Sequence, residues 1–460
     1  MKFAVFVSNR ITFPQEIVNA AIAEVTAAVT RNGFAVMPGT AAVADDAGAR
    51  LYAAHLKRHQ GEYDGVIAVF PNFGDESSTF AALRDAATPI LFQAYPDTVD
   101  RMGPKTRRDA FCGKISAMNL FTQGGVPFTA LPPHTVHPET SVFDANLRDF
   151  AAVCRVVNGM RRVKIGSLGA RPTPFKTVRC DETALERYGI TNETFDLAEL
   201  FQRYRRVDDG DPIYRNLMER YREYAVWPTG VEEARARIVR LATVIEHMIV
   251  DYGLDMITLR CWTELEQEFK ISPCVILSEL NQRRITANCE VDIVQGLAMR
   301  ALQLAAGAPS TCLDWNNNWG DAEDRCVLFH CGPVPTDLMK EPGRIGDHPM
   351  FARILGAGCG LGCNEGRMKP GHFTGCGGQT RSGRLAFYLE EGDFVDAALP
   401  PDFFGCGGVA EFHGLQDKLL GIARRGFAHH VSLAYGSHSR ILAEAFRYLG
   451  YDLVNLTGAD

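Results

Sequence analysis

Short apolar runs at residues 3–7, 65–70 and 89–95 are separated by stretches of helical periodicity such as 15–30 and 47–59, so the chain opens as strand and helix in alternation. Such alternation predicts a mostly parallel sheet covered by helices. The pattern restarts near residue 160, where 162–166 reads as a strand running into the loop 167–172. A long helix is predicted over 231–251, and a strand over 254–260 that ends in Arg260-Cys261-Trp262. From about Gly343 glycine becomes dense, in Gly356-Ala357-Gly358-Cys359-Gly360-Leu361-Gly362-Cys363, Gly375-Cys376-Gly377-Gly378 and Gly405-Cys406-Gly407-Gly408. That spacing predicts tight turns between short strands. The end returns to strand (430–435), helix (437–449) and a last strand (451–456). The expected fold class is α/β: two Rossmann-like parallel-sheet domains, at 1–160 and 161–340, followed by a β-rich C-terminal domain at 341–460.

Composition narrows the function. A chain of 460 residues exceeds one ordinary hydrophobic core, and 46% hydrophobic with 22% charged residues is globular composition. A net charge of -7, with the basic pairs Arg107-Arg108, Arg161-Arg162 and Arg283-Arg284 scattered, argues against a nucleic-acid surface. No apolar run approaches the length of a membrane span. Met1-Lys2 leads into a strand instead of a secretory leader, and the 13 cysteines are odd in number and irregularly spaced. Reduced, buried thiols in a cytoplasmic protein are therefore expected. The loop 167–172 lacks the dinucleotide glycine spacing, and Cys359, Cys363, Cys376 and Cys406 lack the close pairs of structural zinc sites.

The chemistry concentrates between Cys289 and Cys331. The predicted strand 285–289 delivers Glu290 at its end, ahead of an apolar helix over 291–304. Asp314 lies on or just after a second short strand, His330 at the tip of a third, and His429-His430 opens a fourth. Taken singly, each has a plain reading: a first-turn carboxylate, or a polar side chain with an ordinary partner. Repetition at successive strand ends is what capping alone does not explain. Trp262, Trp315 and Trp319 are near in sequence, as sugar-facing aromatics or as core. Arg171 and Arg260 stand at predicted strand ends, suited to a phosphate or sulfonate tail or to surface ion pairs. The loop Pro71-Asn72-Phe73-Gly74-Asp75-Glu76 follows a strand, where it either lines a cleft or simply turns and caps a helix.

The succession Cys289-Glu290-Val291-Asp292, Leu313-Asp314-Trp315, Leu328-Phe329-His330-Cys331-Gly332 and Ala428-His429-His430-Val431 resembles the L-fucose and L-arabinose isomerase superfamily. The resemblance implies an aldose–ketose isomerase working by enediolate proton transfer on an open-chain sugar or sugar derivative. It implies a divalent cation, Mn2+ first with Mg2+, Co2+ and Zn2+ as alternatives. Glu290 and Asp314 become metal-binding and catalytic carboxylates, His430 a ligand, and His330 a further ligand on the arabinose isomerase pattern. Hard oxygen donors with imidazole suit manganese or magnesium. The resemblance further implies a homo-oligomer, a trimer or hexamer, in which Asp75 or Glu76 approaches the cleft of an adjacent chain. A non-catalytic sugar-binding or regulatory protein, needing no metal, is the alternative.

Overall fold

The computed structural model describes residues 1–13, 15–103 and 106–458. The chain divides into two compact units, Met1–Asn158 with Ala443–Leu449, and Gly159–Leu442 with the chain from Gly450 onward.

In the first unit, Lys2–Ser8 pairs in parallel with Gly65–Phe70, which pairs in turn with Ile90–Ala94; the short strands Ala35–Val36 and Ala41–Val43 complete the sheet. Every residue of Gly65–Phe70 and Ile90–Ala94 is buried, as a parallel sheet covered on both faces requires. The helices Gln15–Arg31 and Asp46–Arg58 fall where periodicity predicts them. After Gly65–Phe70 the loop ends at Asp75, whose carboxylate accepts the Ser78 N–H at 2.7 Å and so caps the helix Glu76–Leu83. Glu76 pairs with Arg10 at 3.0 Å. The capping reading of this loop is thus realised, and both carboxylates have partners within their own unit.

The second unit holds two sheets. The first is parallel, ordered Ile190–Phe195, Val163–Leu168, Met256–Leu259, Thr286–Cys289. The second has nine strands, with Thr311–Trp319 between Ala322–His330 and His430–Tyr435, and Gly371–Arg381 next to His430–Tyr435. Asp314 and His330, which the sequence grouped with the middle domain, therefore stand on the nine-stranded sheet. The predicted last strand shrinks to Asp452–Leu453.

Two of the glycine runs are not turns. Gly375-Cys376-Gly377-Gly378 lies inside the strand Gly371–Arg381, and Cys406-Gly407-Gly408 begins the strand Cys406–Glu411. A Cβ on Gly377 would run into the Tyr388 ring, and one on Gly378 would lie 2.8 Å from Val294. Glycine there permits close approach of neighbouring rings and of a helix. That helix, Ile293–Ala306, is apolar nearly all round because it is covered nearly all round. It packs on Thr286–Cys289 and Met256–Leu259 of one sheet and on Gly371–Arg381 and His430–Tyr435 of the other. Gln295 ties it to the nine-stranded sheet: its amide donates to Cys376 O at 2.8 Å and accepts from Gly378 N–H at 3.3 Å, while Ser432 Oγ donates to Gln295 O at 2.9 Å. The start of this helix is thereby fixed opposite the strand that carries His430.

Candidate metal centre

Immediately after Thr286–Cys289 the backbone enters the left-handed region twice in succession, at Glu290 (φ 60°) and Val291 (φ 56°). For a β-branched residue this conformation costs on the order of 1–2 kcal/mol. The Asp292 N–H, donating to Cys289 O at 3.1 Å, closes the turn. Its effect is to swing the Glu290 carboxylate away from the path of strand and helix, toward His430.

Asp314 and His430 are direct partners across antiparallel strands, so their side chains share a face. Glu290 Oε2 lies 3.0 Å and Asp314 Oδ1 3.4 Å from His430 Nε2. These three atoms are buried and none is in hydrogen-bond alignment with any partner. Buried polar atoms are almost always satisfied, so two carboxylate oxygens flanking an imidazole nitrogen without an aligned hydrogen bond mark a place for a positive centre. Two carboxylate oxygens and one imidazole nitrogen form the hard donor set of a divalent cation such as manganese or magnesium, and the residues fit that group.

Asp292 makes the histidine usable. Its Oδ2 accepts the His430 Nδ1–H at 2.7 Å while its Oδ1 caps the helix at Gln295 N–H, 3.1 Å away. With Nδ1 committed as a donor, the neutral ring turns the Nε2 lone pair inward, the arrangement of metal-binding histidines. Trp262 Nε1–H donates to Glu290 Oε1 at 3.2 Å, leaving Oε2 to face the cluster. Phe175 meets Trp262 edge-on at 4.9 Å between centroids and lies 6.5 Å from the His430 ring, forming an apolar wall.

Charges follow this geometry. Burial pushes the Glu290 carboxyl up, but His430 beside it, with His330 and the Trp262 N–H, brings it down to about 2. Burial pushes His430 down, yet Asp292 and Glu290 outweigh it and hold the imidazole well above its usual value. His429 is lowered by burial and by His430. Its side chain is 41% exposed, against 1% for His430, and its Nε2 is 3.8 Å from Asp314.

The other predicted residues take different places. Trp315 points to the opposite face of the strand from Asp314, donating to Tyr388 Oη at 3.0 Å and packing on Phe412 at 5.0 Å, so it belongs to the core. Arg171 donates from one nitrogen, Nη1, to Pro172 O (3.0 Å) and Phe175 O (2.9 Å), shaping the loop that presents Phe175. Arg260 is paired with Glu264 at 2.6 and 2.8 Å and bonds Ala170 O at 3.1 Å. Arg260 thus serves the protein's own loops with its whole guanidinium, Arg171 with Nη1. His330 is buried at the border of the cluster, with a ring nitrogen within 4.8 Å of an Asp314 oxygen and a His430 nitrogen. Sequence reasoning assigned no role to Asp292 or Phe175. For Asp292 a signal existed, an acid two residues after Glu290 at a helix start; Phe175 had none.

Within the second unit a parallel sheet and a mixed sheet thus bring two carboxylates and an imidazole together, the make-up of an α/β protein with an acidic, histidine-bearing site. The family description "Fucose/sulfoquinovose isomerase, N-terminal domain" matches residues 4–161, and "L-fucose isomerase, C-terminal domain" matches residues 328–457. The chain belongs to the fucose isomerase-like superfamily. Among its relatives, the sulfoquinovose isomerase of Priestia aryabhattai is 23% identical over 393 residues, spanning 85% of this chain and 84% of that protein. Those of Alkalicoccus urumqiensis and Clostridium sp. (strain MSTE9) are 22% and 24% identical, spanning 85% and 77% of this chain and 86% and 77% of their own. Among the described residues, no helix is long and apolar enough to cross a membrane.

Proposed function

We propose that this sugar isomerase is an aldose–ketose isomerase dependent on a divalent cation, Mn2+ first, held by Glu290, Asp314 and His430. The observation that supports it most is the convergence of three buried atoms without an aligned hydrogen bond, Glu290 Oε2 and Asp314 Oδ1 at 3.0 and 3.4 Å from His430 Nε2. When bound, the cation supplies Lewis-acid polarisation of the sugar oxygens, an effect of several kcal/mol on developing charge. The chain's residues do the rest. Carboxylates beside C1 and C2 take a proton from one carbon and return it to the other, which is the work assigned to Glu290 and Asp314. Trp262 keeps the Glu290 carboxylate aimed, and Asp292 keeps His430 from turning. The Phe175–Trp262 wall gives the apolar side of a sugar a surface and excludes water.

The relatives' name makes sulfoquinovose the first substrate to try, with L-fucose second. Arg260 is committed to Glu264 and Ala170 through all three nitrogens, so Arg171, whose bonds to its own loop come from Nη1, is the arginine assigned to a sulfonate. The same reading assigns a cytoplasmic homo-oligomer, a trimer or hexamer, with Asp75 or Glu76 near a neighbour's cleft; sedimentation that finds an active monomer at assay concentration refutes that assembly. The functional test is Glu290→Gln, which keeps shape and removes charge. It is expected to keep the melting curve of a folded protein and to lose turnover by about a thousandfold or more. Undiminished turnover with manganese bound would sink the assignment.

A further inference from the structure

We propose that His330 is an N–H donor to a sugar oxygen and not a metal ligand, an inference that rests on the isomerase reading above. The ring sits at the end of the strand Ala322–His330, only 3% exposed. Its Nδ1 accepts the backbone N–H of Cys331 at 2.9 Å. A neutral imidazole has one donor and one acceptor nitrogen, so with Nδ1 accepting, the proton sits on Nε2. Nε2 lies 3.2 Å from Cys289 Sγ, in place for N–H···S donation. The Cys331 Sγ stands 3.3 Å from Nδ1.

His430 shows the opposite polarity. A metal-binding histidine gives its outer N–H to a carboxylate or carbonyl and turns a lone pair inward. His430 does so through Asp292 at 2.7 Å. His330, whose ring centroid is 5.9 Å from that of His430, meets a donor at its outer nitrogen and turns a hydrogen toward Cys289 and the cluster. One ring is built to hold a cation, the other to hold an electron-rich atom. A ring nitrogen of His330 lies within 4.8 Å of Cys289 Sγ and a Glu290 oxygen, and a ring nitrogen lies within the same distance of Asp314 and His430 donor atoms, so the ring borders the cluster beside which a sugar would be held. Cys289 Sγ is a weak acceptor, readily replaced by a sugar oxygen. A fixed donor aimed where an oxygen becomes negative lowers the barrier without moving a proton; removing such a donor costs about 10²–10³ in kcat.

The test compares His330→Ala, His330→Gln and His430→Ala by calorimetric titration with Mn2+, by thermal melting and by steady-state kinetics with the sugar that the wild-type protein converts. The Gln side chain places an amide N–H near the position of Nε2–H. The expected result is Mn2+ affinity in both His330 variants within about threefold of wild type. In His330→Ala, kcat falls about 10²–10³-fold with a smaller change in KM, and His330→Gln regains at least about tenfold of that loss. A loss of Mn2+ affinity in His330→Ala equal to that in His430→Ala makes His330 a ligand and overturns the proposal while leaving the isomerase reading standing. So does a His330→Gln variant as slow as His330→Ala. A wild-type protein that binds Mn2+ but converts no aldose or ketose overturns the isomerase reading, and the donor role with it.

Discussion

Asparagine at position 292 changes one carboxylate oxygen for an amide nitrogen and leaves volume almost untouched. Asn caps helices as well as Asp, so the bond from Gln295 N–H survives. The other half of the side chain then offers N–H toward His430 Nδ1, which donates to Asp292 Oδ2 at 2.7 Å in the wild type. Two donors cannot face each other inside the protein. The imidazole has to move its proton to Nε2, the atom 3.0 Å from Glu290 and 3.4 Å from Asp314, and loses the lone pair a cation needs. A buried hydrogen bond to a charged group contributes about 1.5–3 kcal/mol. Loss of a carboxylate behind a ligating histidine lowers metal affinity about 10–100-fold, which is about 1.4–2.7 kcal/mol. The two estimates agree. Mn2+ titration of Asp292→Asn should therefore give a dissociation constant 10–100-fold weaker, to within about a factor of three. Asp292→Ala should match it in metal affinity and melt lower, by the further ~1 kcal/mol of the lost cap. Wild-type Mn2+ affinity in Asp292→Asn would refute the argument, since His430 would then need no orienting partner or would not be a ligand.

Other perturbations probe the same account. His430→Ala should weaken Mn2+ binding about a hundredfold or more, and His429→Ala by less than about tenfold, because His430 is buried against both carboxylates whereas His429, just before the strand and 41% exposed, approaches Asp314 only to 3.8 Å; equal losses in titration would contradict the placement. Stability of the metal-free protein should depend on pH from both sides. Glu290, held at about 2 against the usual 4.5, adds stability that is complete above 4.5 and fades as pH falls toward 2. His430, raised above 6.5, adds stability that is complete below 6.5 and is lost as pH rises through its folded value. Melting temperatures of the chelated protein should peak between these limits, and added Mn2+, which must displace the His430 proton, should raise the midpoint more at about pH 8 than at about pH 6; a metal effect independent of pH would count against His430 as ligand. Gly378→Ala should destabilise by about 1–3 kcal/mol, since the new Cβ meets Phe387 and Val294 at 2.7 and 2.8 Å; an unchanged denaturant midpoint would show that this strand has room to spare.

The first unit is legible in the sequence because buried parallel strands appear as unbroken apolar runs, and 3–7 and 65–70 are such runs with turn residues at their ends. Glu290, Asp314 and His430 are legible for a related reason: each is a polar residue at the edge of, or early in, an apolar strand. That Asp314 and His430 sit side by side is a matter of strand pairing, which periodicity does not report. The glycine runs misled because Gly377 answers to Tyr388, opposite it on the next strand, and Gly378 to Val294 on a distant helix, instead of to local turn chemistry. Trp315 was separable in principle, since the residue after Asp314 on a strand faces away from it. The commitment of Arg260 was visible too, in the Glu264 four residues later on a helix. Nothing local announces Phe175, whose position depends on Arg171 gathering the loop around its own guanidinium.

The central claim is that Glu290, Asp314 and His430 hold a cation beside which carboxylates move a proton between adjacent sugar carbons. Its most direct test is to strip the protein with chelator, restore it with Mn2+, and follow sulfoquinovose, L-fucose and a panel of other aldoses in D2O by NMR. The account predicts conversion of at least one aldose to its ketose with solvent deuterium appearing at the carbon that receives the proton, abolished by chelation and by Glu290→Gln. Conversion that survives complete removal of metal, or that persists undiminished in Glu290→Gln, would contradict it.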